Sequence, residues 1–126
     1  MKKIMVVDDD VEATKLLEGI LGYQGYEVVS VNDSTLALQK ASQTAPNMIL
    51  LDLMMPQIDG FKLCRMLRED RQFIFTPIII LTALNDEDSK AVAFGAGADD
   101  YITKPYLPTK LLNMIKELFQ PGTTEV

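Results

Sequence analysis

Three carboxylates in a row, a fourth further along, one hydroxyl and one ammonium stand where apolar runs of this chain end. Asp8, Asp9 and Asp10 follow Ile4-Met5-Val6-Val7, Asp52 follows Ile49-Leu50-Leu51, Thr82 closes Ile78-Ile79-Ile80-Leu81, and Lys104 follows Tyr101-Ile102-Thr103. A carboxylate delivered to the end of a buried strand is costly unless something pairs with it. Several gathered within a few ångströms repel one another unless a cation or raised pKa values offset the repulsion. Mg²⁺ fits such a group, using one or two carboxylates plus waters and phosphate oxygens. Lys104 would add a fixed positive charge, and Thr82 a hydroxyl able to donate to a bound oxyanion. A carboxylate nucleophile with a divalent metal, an ammonium and a hydroxyl donor makes a phosphoryl-transfer site, in which the carboxylate becomes an acyl phosphate.

For that chemistry the residues must share one edge. Lys3 to Val7 reads as a strand, and Val11 to Leu21 has helical spacing with Val11, Leu16, Leu17, Ile20 and Leu21 as its apolar face. Tyr26 to Val31 is a second strand. Asn32-Asp33-Ser34 then offers caps for a helix from about Thr35 to Thr44. Met48 to Leu53 is nearly all apolar, as a strand covered on both faces should be. Asp59-Gly60 turns the chain into a helix with Phe61, Leu63, Cys64 and Leu67 inward, which ends in the polar Arg68 to Gln72. Pro77 to Thr82 is a strand with proline at its tolerated first position, Asn85 to Asp88 opens a fourth helix that Gly95-Ala96-Gly97 stops, Asp100 to Thr103 is a fifth strand, and Pro108 opens a last helix, Thr109 to Phe119. Strands alternating with helices through short connections predict an α/β fold, a doubly wound five-stranded parallel sheet. In such a sheet the functional crevice lies beyond the carboxyl ends of the strands, where all the singled-out residues fall.

Composition narrows the chemistry. At 126 residues the chain fits one domain, and its apolar runs are far short of a membrane span. The apolar N-terminal stretch ends at Asp8 with no small-residue cleavage site, so a cytoplasmic location is expected. One cysteine and no histidine exclude an internal disulfide, the usual zinc sites and Ser-His-Asp machinery. A net charge of −6 argues against direct nucleic-acid binding. Asp10 reads as a helix cap rather than a ligand, Asp59-Gly60 as turn chemistry, and Cys64 and the seven methionines as packing.

The strings Val6-Val7-Asp8-Asp9, Leu50-Leu51-Asp52-Leu53-Met54-Met55-Pro56, Asp59-Gly60, Leu81-Thr82-Ala83 and Asp100-Tyr101-Ile102-Thr103-Lys104-Pro105 occur in that order. With them, the chain from Lys3 to about Phe119 resembles the receiver domains of two-component response regulators, the CheY-like family. The resemblance implies a flavodoxin-like (βα)5 fold with strand order 2-1-3-4-5. It implies that Asp52 is the phosphoacceptor, served by a histidine kinase or histidine phosphotransfer protein. Asp9, Asp52 and the backbone carbonyl of Met54 would bind Mg²⁺ (or Mn²⁺) directly, and Asp8 through water. Lys104 would hold a phosphoryl oxygen, with the Lys104-Pro105 peptide cis. Thr82 would move toward the phosphoryl group beside the small Ala83, Tyr101 would change rotamer, and the face from Leu84 to Phe119 would signal to an output domain or downstream protein. Such a module is a signalling switch rather than an enzyme, with only self-directed phosphotransfer and slow autodephosphorylation. Met54 and Leu84 occupy places where many receivers carry polar side chains that orient hydrolytic water, which implies a comparatively long-lived acyl phosphate.

Two other readings share parts of this pattern. Asp8 and Asp10 form an Asp-x-Asp after a strand, as in haloacid-dehalogenase-like phosphatases, but Glu12 stands where a Thr or Val is expected and Asp52 is left without a role. A flavin-binding flavodoxin-like domain would need a glycine- or hydroxyl-rich phosphate loop where three carboxylates stand. Residues 1–120 are expected to form the receiver, and 121–126 a polar tail or the start of a linker. The piece is either free-standing or divided from a longer protein at Gln120-Pro121-Gly122. Lys110 and Met114 depart from the salt-bridge pattern of dimeric DNA-binding receivers, so a monomer or a weak phosphorylation-dependent dimer is expected.

Overall fold

Each short apolar run forms a strand in the computed structural model, which describes residues 2–120. In chain order the elements are β1 (Lys3–Val7), α1 (Val11–Tyr23), β2 (Glu27–Val31), α2 (Ala37–Thr44), β3 (Met48–Leu51), α3 (Gly60–Glu69), β4 (Ile78–Thr82), α4 (Glu87–Gly95), β5 (Asp100–Thr103) and α5 (Pro108–Phe119). The strands are all parallel, as the alternation of strands and helices predicts, in the order β2-β1-β3-β4-β5 that the resemblance implies.

Side-chain alternation along the strands splits the core in two. On one face Ile4, Val6, Leu50, Ile79 and Leu81 pack with Leu17 and Leu21 of α1 and Leu111 and Ile115 of α5. On the other, Met5, Val7, Ile49, Leu51 and Ile80 pack with Ala37 and Ala41 of α2, Leu63, Cys64 and Leu67 of α3, and Ala93 of α4. Both faces of the sheet are therefore covered, and the central strands are apolar on both sides for that reason. Among the described residues no helix is long and apolar enough to cross a membrane.

Register brings the strand ends level, with Val7 beside both Val31 and Leu51, and Thr82 beside Thr103. One further rung forms past each end: Asp8 N donates to Val31 O at 3.0 Å, Asp52 N to Val7 O at 3.0 Å, and Lys104 N to Thr82 O at 2.8 Å. The first residue beyond each of three strands is thereby fixed by the sheet itself.

Four local expectations are corrected. β3 ends at Leu51 rather than Leu53, because Asp52 makes the last rung before the chain turns away, although Leu53 stays buried. A single 3-10 turn, Ser34–Leu36, precedes α2, so the second helix starts late. β2 begins at Glu27, with Tyr26 outside it. On α1 the inward face is Thr14, Leu17 and Leu21, while Leu16 is 59% exposed and Val11 47% exposed; at 3.6 residues per turn Leu16 lies about 100° from Leu17 and points outward. The tail at 121–126 lies outside the described residues.

Candidate functional site

The loops after β1 and β3 bring their carboxylates together. Asp8 and Asp52 are buried and Asp9 is exposed, and each offers one carboxylate oxygen within 4.8 Å of the other two. Asp10 is not part of the cluster; it caps α1, accepting from Glu12 N at 3.0 Å, as its position predicts. With Asp10 engaged as a cap, nothing in the cluster supports the phosphatase alternative.

Lys104, held beside the cluster by its rung to Thr82, faces two acids. Its ammonium lies 2.7 Å from Asp8 Oδ2 and 3.6 Å from Asp52 Oδ2. The resemblance assigns Lys104 to a phosphoryl oxygen at Asp52, and of the two carboxylates its closer contact is to Asp8. Asp8 is thus occupied on both oxygens, since Oδ1 accepts Asp10 N at 2.9 Å. Among the described residues Asp52 Oδ1 accepts only a longer bond from Met54 N, at 3.2 Å.

Burial pushes the Asp8 carboxyl above its ordinary range, with the Asp52 charge adding to the rise, against the pull of Lys104. For Lys104 burial alone would lower the pKa, but the hydrogen bond to Asp8 and the charges of Asp52 and Asp8 outweigh it and raise it. An ion pair would ordinarily lower its acid, so the two shifts oppose each other over Asp8. The 2.7 Å contact decides for an ionised pair at neutral pH, with the Asp8 charge held at some expense.

Thr82 is fully buried, and its Oγ1 has no hydrogen-bond partner among the described residues. An unsatisfied buried hydroxyl costs about 1–3 kcal/mol, so this one is poised for an arriving acceptor. Ala83, next to it, is exposed and leaves the approach open. Tyr101 is half-buried and donates to Leu84 O at 2.7 Å, which ties β5 to the loop after β4; its ring lies 6.3 Å from that of Phe94 and 6.0 Å from the Lys90 ammonium. The Lys104-Pro105 peptide is cis. Met54 stands 55% exposed at the mouth of the site, and Leu84 is half-buried against the core.

Gly60 is a site residue that turn chemistry hides. A Cβ there would collide with Asp52 O and lie 2.6 Å from Leu53 Cα, while Gly60 N donates to Leu53 O at 3.0 Å. The first turn of α3, capped by Asp59 through Lys62 N, therefore rests directly on the backbone that carries Asp52. Nothing in the local sequence separates this close approach from an ordinary Asp-Gly turn.

A group of three carboxylates beside one ammonium and an orphaned hydroxyl fits a hard cation together with a phosphoryl oxyanion. The family model for the response regulator receiver domain matches residues 4–116. The chain is 39% identical over 119 residues to the alkaline phosphatase synthesis transcriptional regulatory protein PhoP of Bacillus subtilis, covering 94% of this chain and 49% of that protein. It is 37% identical to the DNA-binding dual master transcriptional regulator RpaA of Synechocystis, covering 95% of this chain and 50% of the relative. The chain thus spans about half the length of these curated relatives. Among solved structures, the BeF3-activated N-terminal receiver domain of Klebsiella pneumoniae RstA matches with a TM-score of 0.88 at 35% identity, over 94% of this chain and 100% of that one. The chemotaxis protein CheY4 of Vibrio cholerae matches with a TM-score of 0.89 at 31% identity, over 94% and 98%.

Proposed function

The chain belongs to the response regulator receiver domain family, the signalling switches of two-component systems, and from that premise we propose that Asp52 accepts a phosphoryl group from the phosphohistidine of a histidine kinase or histidine phosphotransfer protein. An Asp52 carboxylate oxygen attacks phosphorus, the phosphorus–nitrogen bond breaks, and the imidazole leaves with its electron pair. Mg²⁺ (or Mn²⁺), when bound, offsets the charge of the carboxylates and of the phosphoryl oxygens in transit. Asp9, Asp52 and the Met54 carbonyl are the direct ligands in this reading. Asp8 acts through water, which suits a carboxylate whose two oxygens are already engaged. Lys104 and the Thr82 hydroxyl hold phosphoryl oxygens, Ala83 leaves room for them, and Tyr101 links Thr82 to the face from Leu84 to Phe119 that meets an output domain or downstream protein. Residues 1–120 are the receiver unit, with 121–126 a tail or linker. It works in the cytoplasm as a monomer or weak phosphorylation-dependent dimer, touches neither nucleic acid nor membrane directly, and catalyses only its own phosphorylation and slow dephosphorylation. The observation that carries this reading is the convergence of three carboxylates within 4.8 Å with an ammonium 3.6 Å from Asp52.

Beryllofluoride with Mg²⁺, a stand-in for the phosphoryl group, tests it. The wild-type protein should melt higher with both present than with either one, and Asp52→Asn should show no beryllofluoride response. A shift that survives this substitution would assign the chemistry elsewhere.

The environment of Asp52 also sets how long the phosphoryl group stays. The exposed Met54 side chain and the inward-packed Leu84 offer no polar atom to orient attacking water. Met54→Asn with Leu84→Glu is expected to speed loss of the label by about tenfold, less than the 10²–10⁴ that a fully positioned base supplies. Decay of the phosphorylated species on Phos-tag gels after donor removal reads it; equal lifetimes for the double variant and wild type would contradict the argument.

A further inference from the structure

The segment between β2 and α2 supplies no carboxylate to the acidic cluster, yet it touches both loops that do. Asn32 Nδ2 donates to Asp8 O at 2.9 Å and to Thr14 Oγ1 at 3.0 Å, and Thr14 is buried at the start of α1. Two residues on, Ser34 is 4% exposed; its hydroxyl donates to Pro56 O at 3.0 Å and accepts from Ile58 N at 3.3 Å. Between these two bonds lies Gln57 with φ +70, a left-handed conformation that a residue with a side chain rarely adopts. The Ser34 hydroxyl thus closes the tip of the loop that runs from Asp52 through Met54, as Gly60 closes its base. Asp33, the middle residue, does what the sequence suggests for all three, accepting from Thr35 N at 3.0 Å as a cap. Its two neighbours are turned to other work.

We propose that Asn32 and Ser34 are positioning residues for the acidic site, one fixing the loop of Asp8 and Asp9, the other the loop of Asp52 and Met54, so that a single segment sets the separation of the ligands. Neither side chain touches the metal or the phosphoryl group. Their effect runs through backbone atoms: the Asp8 carbonyl on one side, the Pro56 carbonyl and Ile58 amide on the other. The sheet rung and Gly60 fix the Asp52 backbone, but Asp9 is exposed, and the loop that runs on from Asp52 through Met54 is tied at its tip by the two Ser34 bonds. The proposal rests on the assignment of Asp9, Asp52 and the Met54 carbonyl as ligands.

Mg²⁺ titration by calorimetry, together with metal-free melting, tests it on the whole chain. Asn32→Ala and Ser34→Ala are each expected to weaken Mg²⁺ binding by about tenfold, the low end of what outer-shell partners of metal ligands contribute. Phosphorylation by a small acyl phosphate should slow in parallel. Ser34→Thr keeps the hydroxyl and should bind Mg²⁺ nearly as the wild type does. Unchanged Mg²⁺ affinity in both alanine variants, even with lowered melting temperatures, would make the bonds merely structural and overturn the proposal. Should Ser34→Ala fail to fold, Asn32→Ala decides in the same way, since Asn32 lies at the surface. A wild-type chain that takes up no Mg²⁺ would instead overturn the ligand assignment itself.

Discussion

Replacing Asp52 with asparagine is expected to abolish phosphoryl acceptance and, in the absence of metal, to raise the melting temperature by about 3–6 °C, the shift that about 1 kcal/mol produces in a domain of this size. The two effects have one cause. Asp52 is 8% exposed beside two other carboxylates, and one ammonium serves the group. Neutralising it removes two repulsions and one attraction, and the attraction lost is the longer of the two that Lys104 makes. Asparagine keeps an oxygen for Met54 N and brings an amide that can donate to Asp8. The pH dependence should follow Asp8, whose folded pKa is raised chiefly by burial and in part by the Asp52 charge. A raised carboxyl favours the fold below the ordinary carboxylate range, and that contribution is lost as pH rises through the folded value. The Asp8 contribution in metal-free wild type should therefore grow on acidification through that window, against the losses at Asp33 and Asp86, whose carboxyls Thr35 and Ser89 hold low. Asp52→Asn should show a smaller Asp8 contribution on the same background. Urea unfolding with chelator at several pH values measures both; a variant less stable than wild type at neutral pH would contradict the account of the cluster as strained.

Periodicity and the carboxylate positions made most of this fold and site legible. Most strand ends were readable because the apolar runs stop at a charged or polar residue, the end of β3 being misread by two residues because Leu53 and Met54 stay apolar past Asp52. The parallel sheet then had to bring Asp8, Asp52, Thr82 and Lys104 to one edge. What stayed hidden depends on contacts far apart in the chain. Lys104 lies 96 residues from Asp8, and no local pattern says which of two acids it meets more closely. Asn32 and Ser34 look like caps because their types are cap types, and only the approach of the first and third loops turns them elsewhere. Thr14 sits at an inward position of α1 while Leu16 sits outward, so hydrophobicity misplaces both; the buried hydroxyl is satisfied by Val11 O and by Asn32. The site is thus spelled out by residue type, but its supports are spelled out by geometry.

Gly60→Ala is expected to destabilise the domain by about 3 kcal/mol, the upper end of what overpacking usually costs, and to disable the site as well. The added methyl would meet the Asp52 carbonyl and Leu53 Cα, backbone atoms fixed by the rung to Val7 and by the turn into α3, so relief must come from moving the very segment that carries Asp52. Gly97→Ala provides a contrast. That residue has φ +114, and its Cβ would lie 2.5 Å from Arg68 Cγ, part of a side chain that bonds Gly97 O, Phe73 O, Thr76 O and Asp99. The strain should cost about 2 kcal/mol, but it falls before β5, at the opposite edge of the sheet from the carboxylates, and Mg²⁺ affinity should stay at the wild-type level. Gly19→Ala in α1 meets nothing within 4 Å and should stabilise by about 0.5–1 kcal/mol. Urea unfolding of the three variants, paired with Mg²⁺ titration, separates loss of fold from loss of site. Equal Mg²⁺ affinity in Gly60→Ala and Gly97→Ala would show that α3 does not set the position of Asp52; a loss confined to Gly60→Ala is the outcome that a helix resting on the nucleophile's own backbone requires.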